Sequence, residues 1–145
     1  MKPASDLLMV DDNPADVALV CEAPAANKHR SRLHSVGDGV EAMAFLNHRD
    51  KYANAIRPDL VILDLNLPKK DGLAVLTAMK AAPDLRQIPV VIFSTSLLRK
   101  DIVRSYDLGA NCYVSKPGNL NDFFFAVKSM EEFWFGFVNL PPRGE

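Results

Sequence analysis

Residues 60–72 read LVILDLNLPKKDG, and this stretch decides the architecture. Leu60, Val61, Ile62 and Leu63 run without alternation into Asp64. An unbroken apolar run of this kind suits a strand buried on both faces, as in the middle of a parallel sheet. Pro68 has no N–H and biases Leu67 away from helix, so the ladder stops before it. Asp64 therefore falls at the carboxyl end of a central strand, where open α/β sheets seat their ligands. A carboxylate buried there without a partner is expensive, so a cation is expected beside it.

Working outward, Leu7 to Val10 forms a first short apolar run that stops at Asp11-Asp12-Asn13-Pro14. Asn13 suits an N-cap and Pro14 the first helical position. Val17, Leu19, Val20 and Ala23 support that helix, and Pro24 is expected to end or kink it early. Arg32 to Val36 gives a weak second strand closed by Gly37 and Gly39, and Val40, Met43, Ala44 and Leu46 make a helical stripe to about Asn47. Past Gly72, the residues Leu73, Val75, Leu76 and Met79 predict an amphipathic helix that Pro83 terminates. Pro89 opens the run Val90 to Phe93, which ends in Ser94, Thr95 and Ser96. A helix over Asp101 to Leu108 stops at Gly109 in the C′ position. Cys112, Tyr113 and Val114 form the last strand, before Ser115-Lys116-Pro117, and a final helix runs from Asn119 to about Val138. Five strands alternating with five helices is a βαβ series, hence a parallel sheet with right-handed crossovers. The whole chain, 1–145, is expected to form one domain with no room for a second.

Composition narrows the partners. Hydrophobic residues at 48% and charged residues at 24% are globular values, which excludes disordered and fibrous classes. A net charge of −1 leaves no electrostatic footprint for nucleic acid or an anionic membrane. Cys21 and Cys112 make neither a disulfide framework nor a zinc site. The start MKPASDLLMV is charged too early for a signal peptide, and no run reaches the roughly 18 apolar residues of a membrane span. A cytoplasmic protein is expected.

The strand ends carry the chemistry. Asp11 and Asp12 close strand one, Asp64 strand three, Ser94 and Thr95 strand four, and Lys116 strand five. In a parallel sheet these ends converge on one crevice. Carboxylates about 4 Å apart repel by roughly 4 kcal/mol per pair at an effective dielectric of about 20. Either some are protonated or a divalent cation holds them. Oxygen ligands without nearby Cys or His favour Mg²⁺ over zinc. Such a metal, an exposed carboxylate, a hydroxyl and a lysine suit phosphoryl transfer onto Asp64, with Lys116 and Ser94 meeting the phosphoryl oxygens. Taken singly, each signal has a plainer reading. Asp11-Asp12 reads as acids at a helix start, Lys116 as a surface lysine, Tyr113 as packing, and either Ser94 or Thr95 as the inward hydroxyl. His29, His34 and His48 sit in polar company and read as solvated.

Together these residues resemble the receiver domain of two-component response regulators, a flavodoxin-like fold with doubly wound strand order 2-1-3-4-5. The marks are Asp11-Asp12, Asp64 followed by LPKKDG, Ser94, and Tyr113 ahead of Lys116-Pro117, with spacings of 30 from Asp64 to Ser94 and 52 to Lys116. The resemblance runs from about Leu7 to Phe137 and implies that Asp64 accepts a phosphoryl group from a histidine kinase. It further implies that Asp12, Asp64 and the Asn66 backbone carbonyl ligate Mg²⁺, with Asp11 acting mostly through water. Ser94 and Tyr113 would form a switch pair, Asn66 and Ser96 would tune phosphate lifetime, and the Lys116-Pro117 bond would be cis. LDLNLPKKDG, SYDLGANCYVSKP and FWFGFVNLP are similar to the small regulators paired with bacterial and cyanobacterial phytochromes, which act without an attached output domain. Glu22-Ala23-Pro24-Ala25-Ala26 departs from that pattern, in the helix on which kinase docking commonly depends.

Two rival functions fit parts of the same pattern. A receiver fold that works by protein contact alone, without phosphorylation, is the first. A magnesium phosphatase similar to the haloacid dehalogenases is the second, though those carry two aspartates separated by one residue on the first strand. The final helix raises a separate question, because six of the eight Phe lie between Phe123 and Phe137, with Trp134 among them. Leu120, Phe123 or Phe124, Val127, Met130 or Glu131, Trp134 and Phe137 fill a core stripe. Phe125, Phe133 and Phe135 are then left for an interface, and a homodimer built on this helix is expected.

Overall fold

The computed structural model describes residues 5–22 and 31–142. Ala23, Pro24 and the rest of the helix-one departure, together with His29, lie outside the described residues except for Glu22. The strands are β1 (Asp6–Val10), β2 (Arg32–Val36), β3 (Leu60–Leu63), β4 (Val90–Ser94) and β5 (Cys112–Ser115). The helices are α1 (Pro14–Glu22), α2 (Gly39–Leu46), α3 (Gly72–Ala81), α4 (Arg99–Asp107) and α5 (Leu120–Glu131). All strand pairs are parallel, in the order β2-β1-β3-β4-β5. This is the doubly wound, flavodoxin-like arrangement expected of the βαβ series.

The unbroken apolar strands are explained by two cores, one on each face of the sheet. Leu8, Val10, Val61, Leu63, Val90 and Ile92 pack with Val75, Leu76 and Met79 on one side. Leu7, Met9, Leu60, Ile62, Val91 and Phe93 pack with Val20, Phe123, Val127 and Trp134 on the other. Successive side chains of each strand thus serve opposite layers, which leaves no polar residue within 7–10, 60–63 or 90–93, with Asp6 and Ser94 at the strand ends. Gly109 has φ 107°, the left-handed conformation that lets the chain leave α4 after Leu108. Gly72 is needed for another reason. A Cβ there would come within 2.2 Å of the Asp64 carbonyl oxygen, so α3 can start this close to β3 only without a side chain.

Three expectations are corrected. First, the last helix is not α-helical to Val138: α5 ends at Glu131, and Glu132–Phe137 continues as a π-helix, sealed by Val138 N–H donating to Phe133 C=O at 2.9 Å. Each π turn takes up an extra residue, so the buried face is re-registered. Met130 and Phe135, five apart, are both buried, whereas Phe137 is 80% exposed and Leu120 51%. Phe135 therefore belongs to the protomer's core and leaves the set of interface candidates, while Phe125 and Phe133 remain exposed. Second, His34 is not simply solvated. β1–β2 pairing sets Asp6 opposite Arg32 and two residues from His34, and the fully buried Asp6 carboxylate meets Arg32 Nε and Nη2 at 2.9 Å and His34 Nε2 at 3.0 Å. Third, the Lys116–Pro117 bond is trans, the ordinary preference of an X–Pro bond, as there are no cis peptide bonds among the described residues.

Candidate functional site

Backbone bonds carry the sheet one residue past its strands and so fix the site. Asp11 N–H donates to Val36 C=O at 3.1 Å, Asp64 N–H to Val10 C=O at 3.0 Å, and Lys116 N–H to Ser94 C=O at 2.8 Å. Three chemical side chains are thereby held at the carboxyl ends of β1, β3 and β5. The Asp11 and Asp64 carboxylates are each pinned by a local turn as well. Asn13 N–H donates to Asp11 Oδ1 at 2.9 Å and Asn66 N–H to Asp64 Oδ1 at 3.2 Å.

Lys116 is the cation that Asp64 requires. Its Nζ donates to Asp11 Oδ2 at 2.7 Å, Asp16 Oδ2 at 2.8 Å and Asp64 Oδ2 at 2.9 Å, with 5% of its side chain exposed. An ammonium has three donors, and all three are engaged. Burial pulls the Lys116 pKa down, but the hydrogen bonds to Asp11, Asp16 and Asp64 outweigh it and hold the pKa above the usual lysine value. Burial pushes the Asp11 carboxyl above its ordinary value, against the lowering effect of Lys116 and the Asn13 N–H.

Asp12 is exposed and turned toward the same mouth. One oxygen from each of Asp11, Asp12 and Asp64 lies within 4.8 Å of the others. A single ammonium cannot balance these carboxylates together with Asp16. An all-oxygen set with one open member suits a hard divalent cation that keeps several of its waters. The donor chemistry fits the Mg²⁺ that the sequence implied. Beside it, a cleft of roughly 310 Å³ lined by Asp11, Asp12, Pro14, Val17, Ser35 and Gly37 opens the acidic pair to solvent.

Of the two hydroxyls ending β4, Ser94 is buried and Thr95 exposed, so Ser94 is the inward one. Ser94 Oγ accepts from Ser96 N–H at 3.2 Å. Tyr113 O–H donates to Ser96 C=O at 2.7 Å, so the two switch candidates meet through Ser96 and not directly. Ser96 Oγ in turn donates to Asp101 Oδ2 at 2.6 Å in the first turn of α4. Asn66 is exposed at the rim. Phe125 and Phe133 lie away from this crevice on the last helical segment, at 70% and 54% exposure.

Asp16 was missed by sequence reasoning. An acid in the first turn of a helix reads as a dipole partner, and nothing local signals that it reaches a lysine 100 residues away. Asp101 was missed likewise, since a Ser–Asp pair five apart has no signature.

The response regulator receiver domain pattern matches residues 7–128. Response regulator Rcp1 of Synechocystis sp. is 45% identical over 139 residues, 96% of this chain and 95% of that protein. The crystal structure of the phosphorylated cyanobacterial phytochrome response regulator RcpA is similar at a TM-score of 0.93 and 48% identity, covering 97% of this chain and 100% of that one. The Mn²⁺-bound form of Rcp1 is similar at a TM-score of 0.91 and 45% identity, over 95% of this chain and 99% of that one.

Proposed function

Because this chain belongs to the response regulator receiver domain family, we propose that it accepts a phosphoryl group on Asp64 from a histidine kinase in a two-component phosphorelay. In this reaction an Asp64 carboxylate oxygen forms a bond to phosphorus as the P–N bond of the kinase phosphohistidine breaks. The observation that carries the reading is Lys116 Nζ at 2.9 Å from Asp64 Oδ2 beside the Asp11–Asp12 pair, all at the carboxyl ends of one parallel sheet.

Each residue has a separate task. Asp64 is the acceptor, held by the Asn66 N–H at one oxygen and facing Lys116 with the other. Lys116 offers positive charge to a phosphoryl oxygen once Asp64 carries the acyl phosphate, and Ser94 donates its hydroxyl to a second. Mg²⁺, when bound, would neutralise charge on the transferring group, held by Asp12, Asp64 and the Asn66 carbonyl, with Asp11 acting through water. Tyr113 and Ser94 would report occupancy through Ser96, moving the start of α4. The protein would be a phosphoacceptor that assists its own phosphorylation and hydrolysis, not a turnover enzyme.

Likeness to RcpA, a cyanobacterial phytochrome response regulator, supports a phytochrome-type kinase as the partner. The match over 95% of Rcp1 supports a response regulator of the same kind. No described helix is long and apolar enough to cross a membrane, and the proposed site of action is the cytoplasm. Exposed Phe125 and Phe133 support a homodimer on the last helical segment, with Phe137 taking the place first given to Phe135.

Intact-mass measurement after incubation with acetyl phosphate and Mg²⁺ tests the central reading. One phosphoryl adduct that requires the metal and is absent from Asp64→Asn is the expected result. An adduct retained by Asp64→Asn would overturn it. No adduct on the wild type, followed by no beryllofluoride binding, would favour the contact-only module.

A further inference from the structure

Asp16 has no local task. It is the third residue of α1, where an acid commonly reaches back to the N-cap N–H. Here the Asn13 N–H is already taken by Asp11 Oδ1, and Asn13 Oδ1 accepts from Ala15 N–H at 2.9 Å and Asp16 N–H at 3.3 Å. The helix start is complete without the Asp16 carboxylate. That carboxylate instead meets Lys116 Nζ at 2.8 Å, with 18% of the side chain exposed.

The other two acceptors of Lys116 are Asp11 and Asp64, and both belong to the oxygen cluster suited to a divalent cation. Asp16 does not. When a cation enters, it competes with the ammonium for Asp11 and Asp64 and repels it directly. Asp16 is then the one carboxylate whose hold on Nζ is not shared with the ion.

We propose that Asp16 is a positioning residue: it anchors the Lys116 ammonium beside Asp64 while the metal is bound, keeping a donor in place for the incoming phosphoryl oxygen. This rests on the phosphoacceptor reading given above. Asp16 touches no reacting atom and acts through Lys116 alone.

Asp16→Ala removes both charge and acceptor, whereas Asp16→Asn removes the charge and keeps an oxygen that Nζ can reach. Two readouts follow. One is protection of the Lys116 Nζ–H signal from water exchange, by ¹H–¹⁵N spectroscopy, with and without saturating Mg²⁺ and no phosphodonor. The other is the initial rate of labelling by acetyl phosphate at saturating Mg²⁺.

The wild type should keep a protected signal in both states. Asp16→Ala should keep it without the metal, through Asp11 and Asp64, and lose it when Mg²⁺ is added. Its labelling should slow by roughly tenfold, the usual effect of losing a residue that orients a ligand from outside the site. Asp16→Asn should retain the protected signal in both states and most of the labelling rate. Protection and labelling in Asp16→Ala that match the wild type with Mg²⁺ would overturn the proposal, as would a wild-type signal that is unprotected once the metal binds. Equal loss in Asp16→Asn and Asp16→Ala would also overturn it, since charge and not the bond to Nζ would then be at work. A wild type that takes no phosphoryl group and binds no beryllofluoride would sink the phosphoacceptor reading, and the exchange measurement alone would still decide the anchor.

Discussion

Lys116 Nζ and Asp64 Oδ2 stand 2.9 Å apart, with only 5% and 10% of their side chains exposed. Breaking a pair this buried by removing the cation leaves the carboxylates facing each other with nothing between them. A loss of about 3 kcal/mol is expected for Lys116→Met in urea unfolding without divalent ions. Saturating Mg²⁺ should then stabilise Lys116→Met by more than it stabilises the wild type, because the ion replaces the missing charge and its binding energy adds to folding. An unchanged urea midpoint would show that the ammonium contributes nothing net to the fold.

Ser94 and Thr95 are adjacent hydroxyls with opposite burial, and this gives a clean contrast. Ser94→Ala should slow labelling by acetyl phosphate by roughly tenfold to a hundredfold, the worth of one hydrogen bond to a charged group. Thr95→Ala should leave the rate within about twofold, as expected of an exposed side chain away from the reacting atoms. Time-resolved intact mass under equal Mg²⁺ separates the two. Equal rates for both variants would mean that Ser94 does not meet the phosphoryl group.

What could be read from the chain, and what could not, divides along a physical line. Asp64, Asp11 and Lys116 were legible because each ends an apolar run, and strand ends of a parallel sheet share one side. Asp16 was not, because a first-turn acid satisfies a local rule equally well whether or not it reaches across the fold. His34 was misjudged because its partner, Asp6, lies on a neighbouring strand and meets it only through the β1–β2 register. Phe135 was misjudged because the 3.6-residue period was carried past Glu131, where the backbone changes to a π-helix and the period lengthens.

That change of period yields a prediction about assembly. Phe125, Phe133 and Phe137 are exposed, while Phe135 is 6% exposed in the core. Phe125→Asp combined with Phe133→Asp should shift the chain to monomer in sedimentation at micromolar concentration, with little change in unfolding midpoint. Phe135→Ala should do the reverse, lowering stability by about 3–5 kcal/mol through lost burial and a cavity. A wild type that stays monomeric at high micromolar concentration would remove the homodimer.

Glu131 supplies the last prediction. It closes α5 with 2% of its surface exposed, and its Oε2 has no hydrogen-bond partner among the described residues. Burial among apolar neighbours pushes its carboxyl up to about 7 from an ordinary 4.5. The folded chain therefore binds this proton more tightly than the unfolded chain does. Its stabilising effect is full below about pH 4.5 and is lost as pH rises through about 7. A displacement of that size corresponds to about 3 kcal/mol. Urea unfolding from pH 5 to 8 should show the wild type losing stability relative to Glu131→Gln, which has no proton to release at that position. Asp11, also raised by burial, is common to both proteins and cancels in the comparison. Parallel stability curves for the two across this range would mean that Glu131 ionises freely, and that solvent reaches the end of α5.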